Sequence, residues 1–295
     1  MKSGSLLWMY GKLVLTALIW GSSFNIGRYA SLHAGPYAVA FVRFVIAALC
    51  LGGLCFWREG RLPVLNRARL RLVVGLALTG VLAYNLLFFS GLQHLPGSRA
   101  ALIVALNPIF VAIASSVLSG HRLSARAWGG VSVSLVGALL VISRGHFADL
   151  ALTFGLGESM ILGCCLAWCA YTLMGRQVAA TGLSSLGATT WSALFGALFL
   201  FVPALFEGQL AQFPWQAWPM QLAMLHLGGL ATAVAFIWYA DGVKRIGATR
   251  TIVFTNFVPV SAVMIGVLLL AEPFHWSMLV GGVLVLGGIW LTNRP

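Results

Sequence analysis

The chain has 295 residues, of which 60% are hydrophobic and 8% charged, with a formal net charge of +12. A soluble domain carries roughly a quarter of its residues as Asp, Glu, Lys and Arg, so this composition excludes one and points to an all-α integral membrane protein. The positive charge lies between apolar stretches and reads as topology control, so no nucleic-acid partner is expected.

Breaking the chain at Gly, Pro and charged clusters gives ten apolar segments: 7–29, 36–57, 70–92, 97–118, 124–144, 155–178, 184–206, 217–241, 247–270 and 274–292. Each is long enough to cross a bilayer core of ~30 Å, and in lipid each must be a helix, because isolated strands would leave backbone groups unpaired. The first is too long, and too closely joined to the second, to be a cleaved signal. It carries Trp20, Phe24 and Asn25; the second holds Arg43, and the third Tyr84 and Phe88. The fourth contains Asn107-Pro108, and His121 comes after it. The sixth opens on Glu158 and carries Trp168 and Tyr171, the eighth holds Trp238, and the ninth Asn256 and Pro259. Trp8, Trp57 and Trp218 stand near segment ends as interface anchors.

Lys and Arg set the orientation. Arg58, Arg61, Arg67, Arg69 and Arg71 lie in the link between segments two and three, Arg122 and Arg126 in that between four and five, and Lys244 and Arg245 in that between eight and nine, with Arg250 just inside the ninth. These share one side with Lys2, Lys12 and Arg294, whereas the other side holds little beyond Arg28, Arg99 and Arg144. Both termini are therefore expected in the cytoplasm, with the chain in the cell inner membrane.

The halves also repeat. Trp20, Gly27 and Arg28 match Trp168, Gly175 and Arg176 at an offset of 148, and Gly97, Pro108 and Gly137 match Gly247, Pro259 and Gly288 at 150 to 151. Five segments per half is an odd number, so the second copy (151–295) enters the bilayer inverted relative to the first (1–150). Inverted repeats that hold a substrate between them are a common carrier architecture.

These features resemble the drug/metabolite transporter superfamily and its ten-helix EamA family. The resemblance rests on Trp20-Gly21-Ser22-Ser23-Phe24, Arg43-Phe44, Leu106-Asn107-Pro108-Ile109-Phe110, Ala271-Glu272-Pro273 and a glycine-rich last helix. Within that family the chain looks most like the amino-acid and metabolite exporters of the YddG type. The family usually has a glutamate after the fourth helix, where this chain has His121; Glu272 keeps the counterpart in the second half. The resemblance implies a transporter of small organic metabolites, with no cofactor.

Several residues are candidates for the work. Pro108 and Pro259 remove backbone donors in matching segments, and read either as a paired hinge or as static kinks. Asn107 and Asn256 beside them can bond a freed carbonyl or a polar substrate. Trp20, Phe24, Asn25, Tyr84, Phe88, Trp168, Tyr171 and Trp238 are candidates for a central cavity that accepts apolar and aromatic groups, with cation–π contact for an ammonium. Arg43 is a charge inside a span; it pairs with a carboxylate such as Glu158, receives a substrate carboxylate, or clamps helix ends. Glu158 is the candidate for proton coupling, against the plainer reading of a carboxylate at a helix start. Asp241 reads as a surface partner of Lys244.

The five cysteines fall inside segments, so a disulfide framework is not expected. The Cys165–Cys169 spacing invites a metal reading, but no histidine lies near. Glycine pairs such as Gly129-Gly130 and Gly287-Gly288 serve dimerisation or internal packing, and a monomer is expected. The six histidines are scattered, which disfavours a membrane enzyme, and an inverted repeat suits a carrier better than a pore. The expectation is a secondary transporter that exports amino acids or related metabolites by alternating access. A multidrug or quaternary-cation exporter is the runner-up.

Overall fold

The computed structural model describes residues 3–119, 124–145, 154–246, 251 and 254–292. His121, Lys2, Arg122, Arg250 and Arg294 lie outside the described residues, as does the side chain of Lys244, so the Asp241–Lys244 reading does too. The fold is all-helical among the described residues.

The chain opens on α1 (Ser3–Ala34) and α2 (Pro36–Glu59), joined through Gly35 alone. Gly35 adopts φ 76°, and a Cβ there would stand 2.8 Å from the Glu207 carboxyl, so both backbone and space require glycine. Pro36 suits the first helical position and Gly60 ends α2 in the left-handed region. Next come α3 (Arg67–Leu76), a π-helical stretch π1 (Ala77–Ala83), α4 (Tyr84–His94), α5 (Gly97–Val104), α6 (Asn107–Ser119) and α7 (Ala125–Ile142). The rest comprises α8 (Leu156–Ala180), α9 (Ser185–Glu207), α10 (Trp218–Met224), a second π stretch π2 (Leu225–Val234), α11 (Ala235–Ile246), α12 (Phe257–Leu270) and α13 (Trp276–Thr292). Asn66, Ser124 and Ser184 cap α3, α7 and α9, each accepting from the backbone N–H three residues on.

Among the described residues, seven helical segments are long and apolar enough to cross a membrane, including Arg67–His94, Gly97–Leu118 and Trp218–Gly242; α12 and α13 are shorter apolar helices. Observed boundaries fall close to the apolar segments read from sequence, with two departures. The third and eighth segments pass through π turns, and the fourth breaks at Ala105–Leu106, just before Asn107-Pro108. Asn256 likewise immediately precedes α12. Both prolines thus sit in the first turn after an interruption, where a missing N–H leaves no broken bond.

The main core joins α1, α2, α4, α5, α8, α9 and α10 through residues such as Phe44, Leu51, Phe89, Ile103, Ile161 and Leu200. The dominant packings are α7 on α13, α2 on α9, α1 on α12 and α4 on α8. Where α7 meets α13, a Cβ on Gly137 would lie 2.6 Å from the Gly281 carbonyl oxygen, and one on Gly288 2.5 Å from that of Gly130. These glycines serve packing within the chain. Outward faces carry exposed apolar side chains, Leu49, Leu198, Phe206, Leu269 and Val283 among them. Trp8, Trp57 and Trp218 are 65%, 80% and 68% exposed near helix ends, as membrane-interface anchors are.

All five cysteines are free thiols. Cys164, Cys165 and Cys169 line one face of α8 and reach the carbonyls of Tyr84, Ile103 and Phe110, the last two flanking the break between α5 and α6.

Candidate functional site: a cavity between two π-helical stretches

The two π stretches are the feature that organises the site. A π turn leaves carbonyls out of the ordinary i→i−4 ladder, and such turns concentrate at functional positions. Here polar side chains take up those carbonyls. Asn85 Nδ2 donates to Val81 O at 2.7 Å, and Thr232 Oγ1 donates to Leu227 O at 2.7 Å. From α1, Trp20 Nε1 donates to Ala231 O at 2.9 Å. Glycines bring neighbours close: a Cβ on Gly80 would overlap the Tyr171 ring at 2.1 Å, and one on Gly228 would lie 2.7 Å from the Arg43 carbonyl oxygen.

Arg43 ties the two stretches together. Its Nε donates to Thr232 Oγ1 and its Nη1 to Asn85 Oδ1, both at 3.2 Å. Its guanidinium carbon also lies 5.5 Å from the Phe44 ring centre and 5.8 Å from that of Phe89. Glu158 does not pair with it. That carboxylate forms an ion pair with Arg99 Nη1 at 3.0 Å and accepts from the Gly155 N–H at 3.0 Å, both side chains of the pair being buried. The Arg43–Glu158 pairing is therefore replaced by Arg99–Glu158, and Arg43 has no carboxylate partner among the described residues.

Arg43 lines a cavity of about 60 Å³. Tyr84, Trp168, Tyr171 and Phe236 give it aromatic walls; Asn85, Thr189, Ser192 and Thr232 give it polar ones. A larger hollow of about 290 Å³ lies between Glu59, Arg61, Pro63, Val64 and Arg69, in the α2–α3 link, and carries none of this aromatic lining.

The residues expected from sequence divide into groups. Arg43, Tyr84, Trp168 and Tyr171 line the cavity. Phe88 and Phe24 form a second layer, Phe88 stacked on Tyr84 at 5.5 Å and Phe24 edge-on to Phe88 at 5.2 Å. Trp20 packs on Phe236 at 5.5 Å. Asn25 is buried against α12, donating to Ala262 O at 3.0 Å, with Gly97 pressed on it. Asn107, Pro108, Asn256 and Pro259 mark the helix breaks and are not among the lining residues. Trp238 is half-buried, while Phe236, two residues earlier, lines the cavity and Tyr239 touches Trp20. The π turn explains this shift, because its extra residue per turn rotates every later side chain relative to a 3.6-residue count.

Sequence reading missed Asn85, Ser192, Thr232 and Phe236. It also passed over His226 in π2, whose Nε2 sits 3.0 Å from Ser22 Oγ and 3.2 Å from Ile19 O. The signal was available for three of them: Asn85 and Thr232 stand almost at the offset that relates Trp20 to Trp168, as Gly80 and Gly228 do, and Phe236 stands at that offset from Phe88.

Around the cavity, one end of the bundle is closed by carboxylates. Glu207, ending α9, accepts from the backbone N–H groups of Tyr37 at 3.1 Å and Ala38 at 2.7 Å. Glu272 accepts from Gly97 N at 3.1 Å, Ser98 N at 3.4 Å and the Ser98 hydroxyl. The Arg99–Glu158 pair lies at the same end, with Arg99 also donating to Ile142 O. Each carboxylate neutralises the positive end of a helix.

Comparison with known proteins places the fold. The sequence model of the EamA-like transporter family matches residues 7–143 and again residues 155–294. The chain belongs to this family. Among EamA-like relatives it is 27% identical to the uncharacterized transporter YyaM of Bacillus subtilis, over 95% of this chain and 92% of the relative. It is 27% identical to a probable terminal-alkyne amino-acid exporter of Streptantibioticus cattleyicolor, covering 100% of this chain and 95% of the other. It is 31% identical to an S-adenosylmethionine/S-adenosylhomocysteine transporter of Chlamydia trachomatis, covering 93% and 86%. A solved crystal structure at 21% identity superposes with a TM-score of 0.63 over 95% of each chain and shares the fold. The protein is thus a multi-pass membrane protein of a transporter family.

Proposed function

We propose that this EamA-like protein is a secondary transporter that exports small organic metabolites, above all amino acids, including aromatic and apolar ones, by alternating access. In this reading residues 1–150 and 151–295 are inverted five-helix repeats, both termini are cytoplasmic, and the protein works as a monomer in the cell inner membrane. The observation that carries it is the origin of the cavity walls. Arg43, Tyr84 and Asn85 come from the first half, Trp168, Tyr171, Ser192, Thr232 and Phe236 from the second. A site shared between halves changes access when the halves rock.

Three further observations support the reading. The packings come in exchanged couples: α1 lies on α12 as α8 lies on α5 and α6, and α4 lies on α8 as α11 lies on α1. The π stretches and the breaks before Pro108 and Pro259 recur in both halves, which favours a paired hinge. Two relatives carry names of amino-acid or amino-acid-derived substrates. The quaternary-cation reading has less support, since Glu158, the carboxylate it needs, is engaged by Arg99 and by its own helix start. The same engagement favours facilitated movement over proton coupling at Glu158.

The test is counterflow in liposomes of purified protein, with labelled amino acids beside a quaternary amine, with and without a pH gradient. The expected result is saturable amino-acid exchange that ignores the gradient. Gradient-driven movement of the amine alone would overturn the reading.

A further inference from the structure

The cavity holds one fixed positive charge and no described negative one. Of the five N–H donors of a guanidinium, Arg43 commits one to Thr232 and one to Asn85, and the others have no acceptor among the described residues. A charge in mid-membrane is costly unless it is used or compensated. An independent observation concerns a second lining residue. Ser192, only 2% exposed, lines the same cavity with its Oγ unpartnered. Buried hydroxyls are normally hydrogen-bonded.

Resting on the transporter reading above, we propose that this cavity is an anion site that grips its substrate by a carboxylate, held on the free N–H groups of Arg43 and the hydroxyl of Ser192. Trp168, Tyr84 and Tyr171 take the apolar or aromatic body. Thr232, in π2, and Asn85, at the start of α4 just after π1, are positioning residues: they fix the guanidinium plane, so that its remaining donors form a preset fork for a carboxylate. A single cation balances a singly charged acid. The substrate class is therefore small organic monocarboxylates, with amino acids admitted through their carboxylate and the ammonium resting on ring faces. An amine without a carboxylate meets an unbalanced cation and is rejected. The carboxylate is the handle and the amino group is optional.

The decisive experiment is equilibrium binding of labelled 3-phenylpropionate to the purified full chain in detergent. Phenylalanine, phenylalaninamide and benzyltrimethylammonium serve as competitors, and sodium chloride at matched ionic strength as the inorganic-anion control. Saturable binding is expected, displaced by phenylalanine, with the amide and the quaternary amine at least about 30-fold weaker. Arg43→Gln should weaken binding about 10- to 100-fold, and Ser192→Ala about 3- to 10-fold. Absence of saturable binding, displacement by the amine or by chloride as readily as by the acid, or unchanged affinity in Arg43→Gln would overturn the inference. Should Arg43→Gln fail to fold, Ser192→Ala and the competitor ranking on the unaltered chain decide it. Carboxylate binding without flux in liposomes would sink the transporter reading and leave the anion site standing. Flux carried equally well by the amide and the amine would do the reverse.

Discussion

The two ends of the bundle are built differently, although the repeat would allow them to match. At the end holding Gly35, Gly97 and Glu158, carboxylates cross between the halves and sit on helix starts: Glu207 on α2, Glu272 on α5, and Glu158 on Arg99 of α5. At the opposite, basic end the crossings are made by side chains donating to carbonyls or to a hydroxyl. Arg69 reaches Thr181 O at 2.8 Å, Trp191 reaches Pro63 O at 2.9 Å, and Arg176 reaches Ser115 Oγ at 3.1 Å. Glu59 stands where the offset of 148 pairs it with Glu207, yet it is exposed and accepts from the Cys55 thiol of its own helix. His121 stands where the offset of 151 pairs it with Glu272. In the proposed inverted repeat, helix-capping carboxylates at one end without matching ones among the described residues at the other would give the frame a preferred direction. Under the alternating-access proposal, this difference would favour a resting state closed at the clamped end.

The largest effect expected from breaking this contrast is at the buried pair. Arg99→Ala strands the Glu158 carboxylate and should cost about 3–5 kcal/mol, read as a fall in thermal unfolding temperature in detergent. Adding Glu158→Gln should recover most of that loss, since the stranded charge is gone; a double-mutant cycle with no coupling would show the pair to be inert. Glu272→Ala removes the acceptor of two backbone donors and a hydroxyl and should cost about 2–3 kcal/mol, accompanied by faster hydrogen exchange at Gly97 and Ser98. Glu207→Ala, which removes the acceptor of two backbone donors and of no hydroxyl, should cost about 1–2 kcal/mol, with its exchange signal confined to Tyr37 and Ala38. The smallest effect belongs to the basic end. Glu59→Gln should leave unfolding temperature and transport rate unchanged, and a loss comparable to that of Glu207→Ala would erase the asymmetry.

Much of the helix layout was legible because apolar runs between Gly, Pro and charge clusters leave little choice in lipid. Arg43, Tyr84, Trp168 and Tyr171 were legible as polar or aromatic residues on repeat-related spans, and the structure gathers them around one cavity. The π stretches were not. A shift of hydrogen-bond register has no single-residue signature, although Phe236, which lines the cavity where Trp238 was expected, stands at the offset of 148 from Phe88. The Arg99–Glu158 pair was also hidden, because its members lie on segments four and six and nothing local links them. Read alone, Arg99 is one of the few charges on its side of the bilayer and Glu158 a proton-coupling candidate at a helix start.

In the proposed transport cycle the cavity opens to one side at a time and rests closed at the clamped end. That cycle is tested most directly by labelling the Thr189→Cys, Cys50→Ala variant with a membrane-impermeant maleimide from each face of oriented vesicles, Thr189 being a lining residue and Cys50 an exposed native thiol. The account predicts labelling from the face of the basic end and protection from the other, with Glu207→Ala and Glu272→Ala in the same background shifting reactivity to the clamped face. Equal labelling from both faces, unmoved by those substitutions, would describe an open pore and contradict it.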